Sequence, residues 1–425
     1  MRVEKLELTN FRGIRQLTLE FPTQTTVLVG INGVGKSAVL DALALLMGQF
    51  IAAVTLTKKM DVPRLTSKDV RVGAEELKIA VATSDRGSSH WWALSTGSTP
   101  SDGDIENPER HGYLNDVART LRRLELLGTF PLVVQYSTSR GQWSSTTHAD
   151  HETARGRSAA FKDALPAGVG TFDAFYAWFR EREDVENEER AQGKLEFKDP
   201  QLEAVRAAVA ALLEGFSNLR IERKLRRMTV RKHDEVLDVT QLSAGEKALL
   251  TLVSDLARRL SMANPRTQEP RLGGGIVLID EVDLHLHPRW QRMLLPSLER
   301  TFPNCQFIVT THSPQVISNV KPECIYLLER TQEGEIIARR PEASFGLDSN
   351  RILEDLMGVD ERPSRIKEQL LQFFRLIDEG KLDEAKALRR ELEAEIGSDE
   401  PNFAKGDVLI RRKEMLAGAP HRPQR

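Results

Sequence analysis

From Val3 to Leu8 and from Gln16 to Phe21 apolar residues mostly alternate with polar ones, the period of half-buried strands. Asn10, Gly13 and Pro22 punctuate these runs as the turns of one hairpin. Thr25–Val29 is a short apolar run that passes straight into a glycine-rich stretch, and a helical pattern begins at about Lys36. Alternation returns between Leu77 and Leu94, which predicts a second strand pair extending the sheet edge. Residues 84–112 and 137–159 are rich in Ser, Thr, Gly, His and Asp, and are expected to be mobile surface loops. Between Phe172 and Leu213 the spacing turns helical. Phe172, Phe175, Tyr176 and Phe179 form an apolar stripe there, and the charged run EREDVENEER that follows reads as a solvated helix face.

Strand signals resume over 219–239, in GIVLID (275–280) and in FIVT (307–310), with a helix-like segment, Arg289 to Arg300, between the last two. Buried strands alternating with helices predict an α/β sheet with helical flanks. Ser364 to Ile396 reads as helical with a break near Gly380, and the final APHRPQR (419–425) as a disordered tail. The chain shows no internal repeat.

Composition narrows the picture. The 425 residues allow a sizeable core and two or three domains. A net charge of −2 and a pI near 6.6 give no global pull on nucleic acid, so such contact would need a local basic face. Two cysteines, Cys305 and Cys324, offer neither a disulfide framework nor a metal pair, which points to a reducing cytoplasm. The N-terminal MRVEKLELTNF lacks a signal-peptide run, and the longest apolar stretch, Leu40 to Leu56, carries Asp41 and Gln49 and is read as too short and too polar to span a bilayer. The expectation is a cytoplasmic protein with no membrane partner.

The chemistry starts in GINGVGKS, Gly30–Ser37, which fits G-x-x-x-x-G-K-[ST] between an apolar strand and a helix. Glycines let main-chain N–H groups close around phosphates, and the helix N-terminus adds a favourable dipole. The cradle comprises Asn32, Gly33, Val34, Gly35, Lys36, Ser37 and Ala38. Lys36 would reach the β- and γ-phosphates of ATP, and Ser37 would hold Mg²⁺. GIVLIDE, Gly275–Glu281, is a buried strand ending in two carboxylates: Asp280 is placed to bind Mg²⁺, and Glu281 is the candidate general base for the attacking water. Acidic residues often end strands; the pairing with a phosphate loop makes this one specific.

Further strings bring in a family. LSAGEK, Leu242–Lys247, resembles the ABC signature, while also reading locally as a helix N-cap with Ser243 and Glu246 in a capping box. The resemblance implies that Ser243, Gly245 and Glu246 contact the nucleotide held by a partner head. Asp283 in DEVDLHLHP matches the D-loop, which crosses the dimer interface in such proteins, and His312 in THSP matches the histidine switch at the γ-phosphate. NFRGI at 10–14 resembles the N-terminal signature of SMC, RecF and OLD-type heads, which places Arg12 near the nucleotide. Gln135 in LVVQYSTSR is the candidate Q-loop glutamine, contacting Mg²⁺ and the attacking water, although the surrounding pattern departs from an ordinary Q-loop. His285 and His287 form an H-x-H without a third ligand nearby and are read as structural.

Together these strings resemble the SMC-like AAA ATPases of bacterial anti-phage defence, nearest to the ATPase subunit of Septu systems and Septu-type retrons, over residues 1–50 and 220–400. The fold class implied is an α/β, ABC/SMC-type P-loop ATPase head, a mixed sheet with flanking helices, carrying a compact, mainly helical insertion and a C-terminal helical extension. Its boundaries are a first lobe at 1–136, a loop-rich and helical insertion at 137–218, a second lobe at 219–345 and the extension at 346–425. Residues 38–242, which separate Ser37 from Ser243, are too few for the long coiled coil of true SMC proteins and lack sustained heptads. Neither the carboxylate set of a Toprim nuclease nor an H-N-H pattern is found.

The resemblance implies an ATPase with ATP and Mg²⁺ as cofactors, a homodimer through the ATP sites or a higher oligomer, and a separate effector such as an HNH-type nuclease. A retron reverse transcriptase and its DNA are further implied partners. A RecF-like DNA clamp stays open as an alternative, supported by the basic run RIERKLRRMTVRK (220–232); a transporter ATPase would need a coupling surface of which the sequence shows no sign.

Overall fold

The computed structural model describes residues 1–55, 62–85, 87–96, 130–138, 157–165, 172–267 and 269–417. They form two compact units, Met1–Ile352 and Leu353–Arg425.

The first unit is organised around a six-stranded sheet in the order β13-β12-β3-β11-β10-β6. Strands β3 (Thr25–Val29), β6 (Leu132–Tyr136), β10 (Gly275–Ile279) and β11 (Cys305–Thr310) are buried at every residue. They pair in parallel with one another and with β12 (Ile325–Arg330), and β13 (Ile336–Arg339) closes one edge antiparallel. Continuous apolar runs without alternation are what a parallel sheet covered on both faces requires. Helix α1 (Lys36–Thr55) follows β3 and packs on this sheet. Among the described residues it is the one helix long and apolar enough to cross a membrane, and its apolar window is 72% buried inside the protein. Core packing accounts for its composition. Cys305 is closed off on β11, and burial pushes its thiol up to about 12.

The hairpin of β1 (Arg2–Phe11) and β2 (Ile14–Glu20) belongs to a second, antiparallel sheet, β2-β1-β4-β5. Here the loop expectation for 84–112 is corrected: β4 runs over Leu77–Asp85 and β5 over Ser88–Thr96. Gly87, at φ 84°, turns the chain, and Trp92 fills the core and donates from its indole N–H to the Leu46 carbonyl of α1 at 3.0 Å. Burial of one aromatic face outweighs the polar composition of that strand. Residues 97–112, the greater part of the 137–159 expectation and the 419–425 tail lie outside the described residues.

Helices α2 (Phe172–Ala191) and α3 (Pro200–Leu212) precede a three-stranded meander, β7 (Phe216–Glu222), β8 (Arg227–Lys232) and β9 (Glu235–Asp238). The charged run of α2 is not wholly solvated. Glu183 and Glu186 are buried, Glu186 against Arg206 and Arg190, and Glu183 accepts from the Ile221 N–H. Helix α4 (Ala244–Ala263) is buried along nearly its whole length against α3, and α5 (Pro288–Thr301) stands between β10 and β11 in the chain.

The second unit holds α6 (Ser364–Asp378), α7 (Leu382–Ile396) and α8 (Pro401–Ala417). Gly380, at φ 76°, makes the expected break. Phe373 and Phe403 meet edge-on at 6.3 Å in a core with Ile366, Leu370, Ile377 and Leu392. Gly406 lets α8 close on α6, since a Cβ there would lie 2.3 Å from the Phe373 ring.

Candidate functional site

The phosphate loop links β3 to α1. At Gly30 an added Cβ would lie 2.5 Å from the Leu328 carbonyl oxygen on β12, and Gly35 stands at φ 105°, so the curve needs residues without side chains at both places. Asn32 and Gly33 are exposed at its crown, Val34 is buried beneath, and Ala38 sits half-buried in the first turn of α1. The Lys36 side chain folds back into this curve, where its ammonium donates to the carbonyls of Gly30 (2.8 Å) and Ile31 (3.0 Å) and the residue is 6% exposed. Burial lowers its pKa, and the fields of Asp280 and Glu281 oppose that shift. A cation ringed by main-chain groups at a helix N-terminus is a fitting cradle for polyphosphate.

The end of β10 faces this loop. Ser37 Oγ donates to Asp280 Oδ2 at 2.9 Å, and Thr310 Oγ1 donates to Asp280 Oδ1 at 2.6 Å. The same Thr310 oxygen accepts from the Glu281 N–H at 2.7 Å. Adjacent strand residues normally face opposite ways. Glu281 adopts φ 46°, which turns the chain out of the strand, and both carboxylates raise the Lys36 pKa by their charge. A hydroxyl and one carboxylate sharing a hydrogen bond beside a phosphate cradle fit Mg²⁺, which takes few protein ligands and completes its shell with phosphate and water. Among the described residues no cluster of three or more His, Cys, Asp or Glu side chains forms a separate metal cage.

His312 follows β11 and senses the same groups. Burial and the nearby Lys36 hold its pKa below 6.5, against the pull of Asp283, Glu281 and Asp280. Thr311 Oγ1 donates to Asp283 Oδ1, which fixes the D-loop candidate to the same turn. His287 caps α5 by accepting from the Arg289 N–H at 3.3 Å, and His285 takes a left-handed φ of 61°.

Arg12 and Gln135 meet at a residue that the motifs did not single out. Gln135 Nε2 donates to Asp41 Oδ1 at 3.0 Å, and Arg12 donates to Asp41 Oδ2 at 2.5 Å and to Asp69 Oδ1 at 2.9 Å. Asp41 lies one turn beyond Ser37 on α1, a lone carboxylate in an apolar helix. That isolation was the available signal.

The signature stands apart from these bonds. Ser243 is exposed at the N-cap of α4; it accepts from the Glu246 N–H at 3.3 Å, and its own N–H and hydroxyl donate to Glu246 Oε2 at 2.9 and 2.8 Å. Gly245 packs on the D-loop, where a Cβ would lie 2.6 Å from the His285 carbonyl oxygen. Lys36, Ser37, Asp280, Glu281 and His312 thus share one electrostatic neighbourhood, whereas Ser243 and Glu246 bond to each other, with Ser243 exposed and Glu246 mostly covered.

A closed polar network joins the signature helix to the Gln135 strand. Asp255 of α4 accepts from Arg258 (2.5 Å), from Arg259 Nε (2.6 Å) and from the Tyr136 hydroxyl (3.0 Å), and Arg259 donates onward to the carbonyls of Ala160 and Lys162, both at 2.8 Å. Asp255, Arg259 and Tyr136 are all buried.

Known proteins fall on these same elements. Residues 1–109 match the family described as "AAA ATPase domain", and residues 134–318 match "AAA domain, putative AbiEii toxin, Type IV TA system". The Retron Ec83 probable ATPase of Escherichia coli is 29% identical, over 97% of this chain and 87% of that protein. The Septu protein PtuA of Bacillus thuringiensis is 25% identical, over 89% of each. Among solved structures, an SMC head bound to the C-winged helix domain of ScpA aligns with 80% of this chain and 98% of that one, at 16% identity and a TM-score of 0.48. The chain is an AAA-type ATPase homologous to the retron probable ATPases and to Septu PtuA, as its motifs led us to expect.

Proposed function

We propose that this ATPase is an ATP-gated switch in anti-phage defence: two heads close around two ATP molecules, and closure controls an associated effector, a nuclease. The observation that carries this reading is the division of the site. The phosphate loop, Asp280 and Glu281 form one half, while Ser243 lies exposed at the N-terminus of a buried helix with its bonds turned inward. A second copy supplies the missing face for each half, as the two-fold symmetry of a closed dimer requires. The homology to retron and Septu proteins supports the defence setting.

In this mechanism Lys36 and the loop amides would hold the phosphates, and Ser37 and Asp280 would hold Mg²⁺. The metal supplies charge neutralisation on the transferred phosphoryl group. Glu281 takes the proton of the attacking water. His312, kept neutral at pH 7, hydrogen-bonds at the γ-phosphate position. Gln135, steadied by Asp41, orients the water, and Arg12 holds Asp41 in place. The exposed cationic tip of the β7–β8 hairpin, Lys224 and Arg226, favours a second reading in which the dimer clamps DNA. ATP-dependent binding of duplex DNA without an effector would distinguish it.

Complementation tests the shared site. A Lys36→Ala chain lacks the phosphate cradle and a Ser243→Arg chain lacks the cap, so each alone is inactive. Mixed in equal amounts they form a heterodimer with one complete site, and turnover should recover to about a quarter of wild type. No recovery on mixing would sink the reading.

A further inference from the structure

We infer that Lys232, on the meander, is a positioning residue for the signature serine and acts through Glu246. This rests on the shared-site reading and adds the device that prepares the capping face. Lys232 ends β8, and its ammonium lies 2.7 Å from Glu246 Oε1. The other carboxylate oxygen, Glu246 Oε2, receives both the N–H and the hydroxyl of Ser243. One carboxylate therefore joins the meander to the signature. With Lys232 holding one oxygen, the other has a single orientation left, and that orientation sets the Ser243 rotamer.

Three features set this apart from an ordinary capping box. A capping box needs only its own four residues, whereas here a side chain from another sheet holds the glutamate. The Lys232 ammonium is itself located from the far side, 5.9 Å from the centre of the Phe216 ring. The ion pair also lines a groove of about 300 Å³ among Phe216, Leu249, Trp290 and Met293, rather than a closed core. Lys232 and Glu246 keep 35% and 12% of their side-chain surface, so the pair adjusts without unfolding its surroundings.

The consequence concerns the partner's nucleotide. A signature serine that must cap a γ-phosphate across an interface works best if its Oγ is already held in place, so that on closure only the hydroxyl proton has to turn from Glu246 Oε2 to the phosphate. Without Lys232, Glu246 gains rotamers, the box loosens, and each closure has to order it again. Nucleotide binding by a single head uses the phosphate loop and stays unchanged.

The test uses the full chain with Glu281→Gln as the trapping background, adding Lys232→Ala or Lys232→Arg. The ATP-dependent dimer dissociation constant is read by analytical ultracentrifugation, ATP affinity by binding to dilute single heads, and folding by the unfolding midpoint. Lys232→Ala should weaken the dimer about tenfold, or about 1.4 kcal/mol shared between two equivalent sites. ATP affinity and midpoint should hold, and Lys232→Arg should restore most of the dimer. A dimer of unchanged affinity in Lys232→Ala overturns the inference while leaving the shared site intact. Equal losses in dimer affinity, single-head ATP affinity and midpoint would also overturn it, by showing a merely structural role. If the Glu281→Gln background itself forms no ATP-dependent dimer, the underlying reading fails instead.

Discussion

Replacing Asp255 by Asn removes one negative charge from a site that holds two guanidinium groups. Asp255 and Arg259 each keep 3% of their side-chain surface and Arg258 keeps 11%, so water replaces little of what is lost. Breaking a buried pair by removing one partner costs about 3–5 kcal/mol. Asparagine keeps one acceptor oxygen and nearly the same volume, which places the expected loss near the lower end, about 3 kcal/mol. Tyr136→Phe deletes one hydrogen bond to the charged carboxylate and keeps both ion pairs, so it should cost less, about 1.5 kcal/mol. The assay is urea unfolding followed by tryptophan fluorescence. All five tryptophans precede residue 353, so the signal follows the ATPase unit and not the C-terminal helices. The pH dependence has a fixed sign. The two arginines hold the Asp255 carboxyl well below its ordinary value of 3.8, overcoming burial, which acts the other way. Its stabilisation is complete above that ordinary value and drains as pH falls toward the depressed one. Asp255→Asn should therefore flatten the acid limb of the stability curve. A loss under about 1 kcal/mol, or an unchanged acid limb, would refute the claim that this network ties the signature helix to the Gln135 strand.

Further substitutions probe the site itself. Gly245→Ala puts a Cβ 2.6 Å from the His285 carbonyl oxygen, so signature and D-loop must part; turnover should fall about tenfold while single-head ATP affinity is kept, checked by steady-state ATPase and binding assays. His312→Ala should lower turnover about a hundredfold at unchanged ATP affinity. Because burial and Lys36 hold its pKa below 6.5, the wild-type contribution of His312 should stay level above that value and decline only below it, read from a pH–rate profile. Lys36→Ala should abolish nucleotide binding, measured by calorimetry, while the unfolding midpoint moves little.

The parts of the site that chemistry dictates were legible in the sequence. A phosphate loop needs glycines, a lysine and a hydroxyl at fixed spacing, and GINGVGKS supplies them between a strand and a helix. Asp280 and Glu281 could be read because a buried strand that ends in two carboxylates has few structural uses. Thr310 could not, since it acts through a contact with Asp280 on the neighbouring strand, and the isolation of Asp41 in an apolar helix flags that residue without naming Arg12 and Gln135 as its partners. Nothing local marks such partners. Lys232 escaped for the same reason, since its run of basic residues reads equally well as a solvated strand edge.

At the level of the fold, the continuous apolar strands and the helical break at Gly380 were evident. Strand β5 was partly masked by its Ser- and His-rich ends, and β12 and β13 carried no period long enough to stand out. Helix α8 is amphipathic only weakly, with Gly406 in its middle, and is explained by its approach to Phe373 rather than by propensity.

The central claim is that one head holds half of each ATP site. Its most direct test is the solution mass of the Glu281→Gln chain, purified with its native neighbours, with and without ATP and Mg²⁺. The account predicts a doubling that requires both, reverses on nucleotide removal and is lost in Lys36→Ala. A mass that stays the same with saturating ATP bound would contradict it.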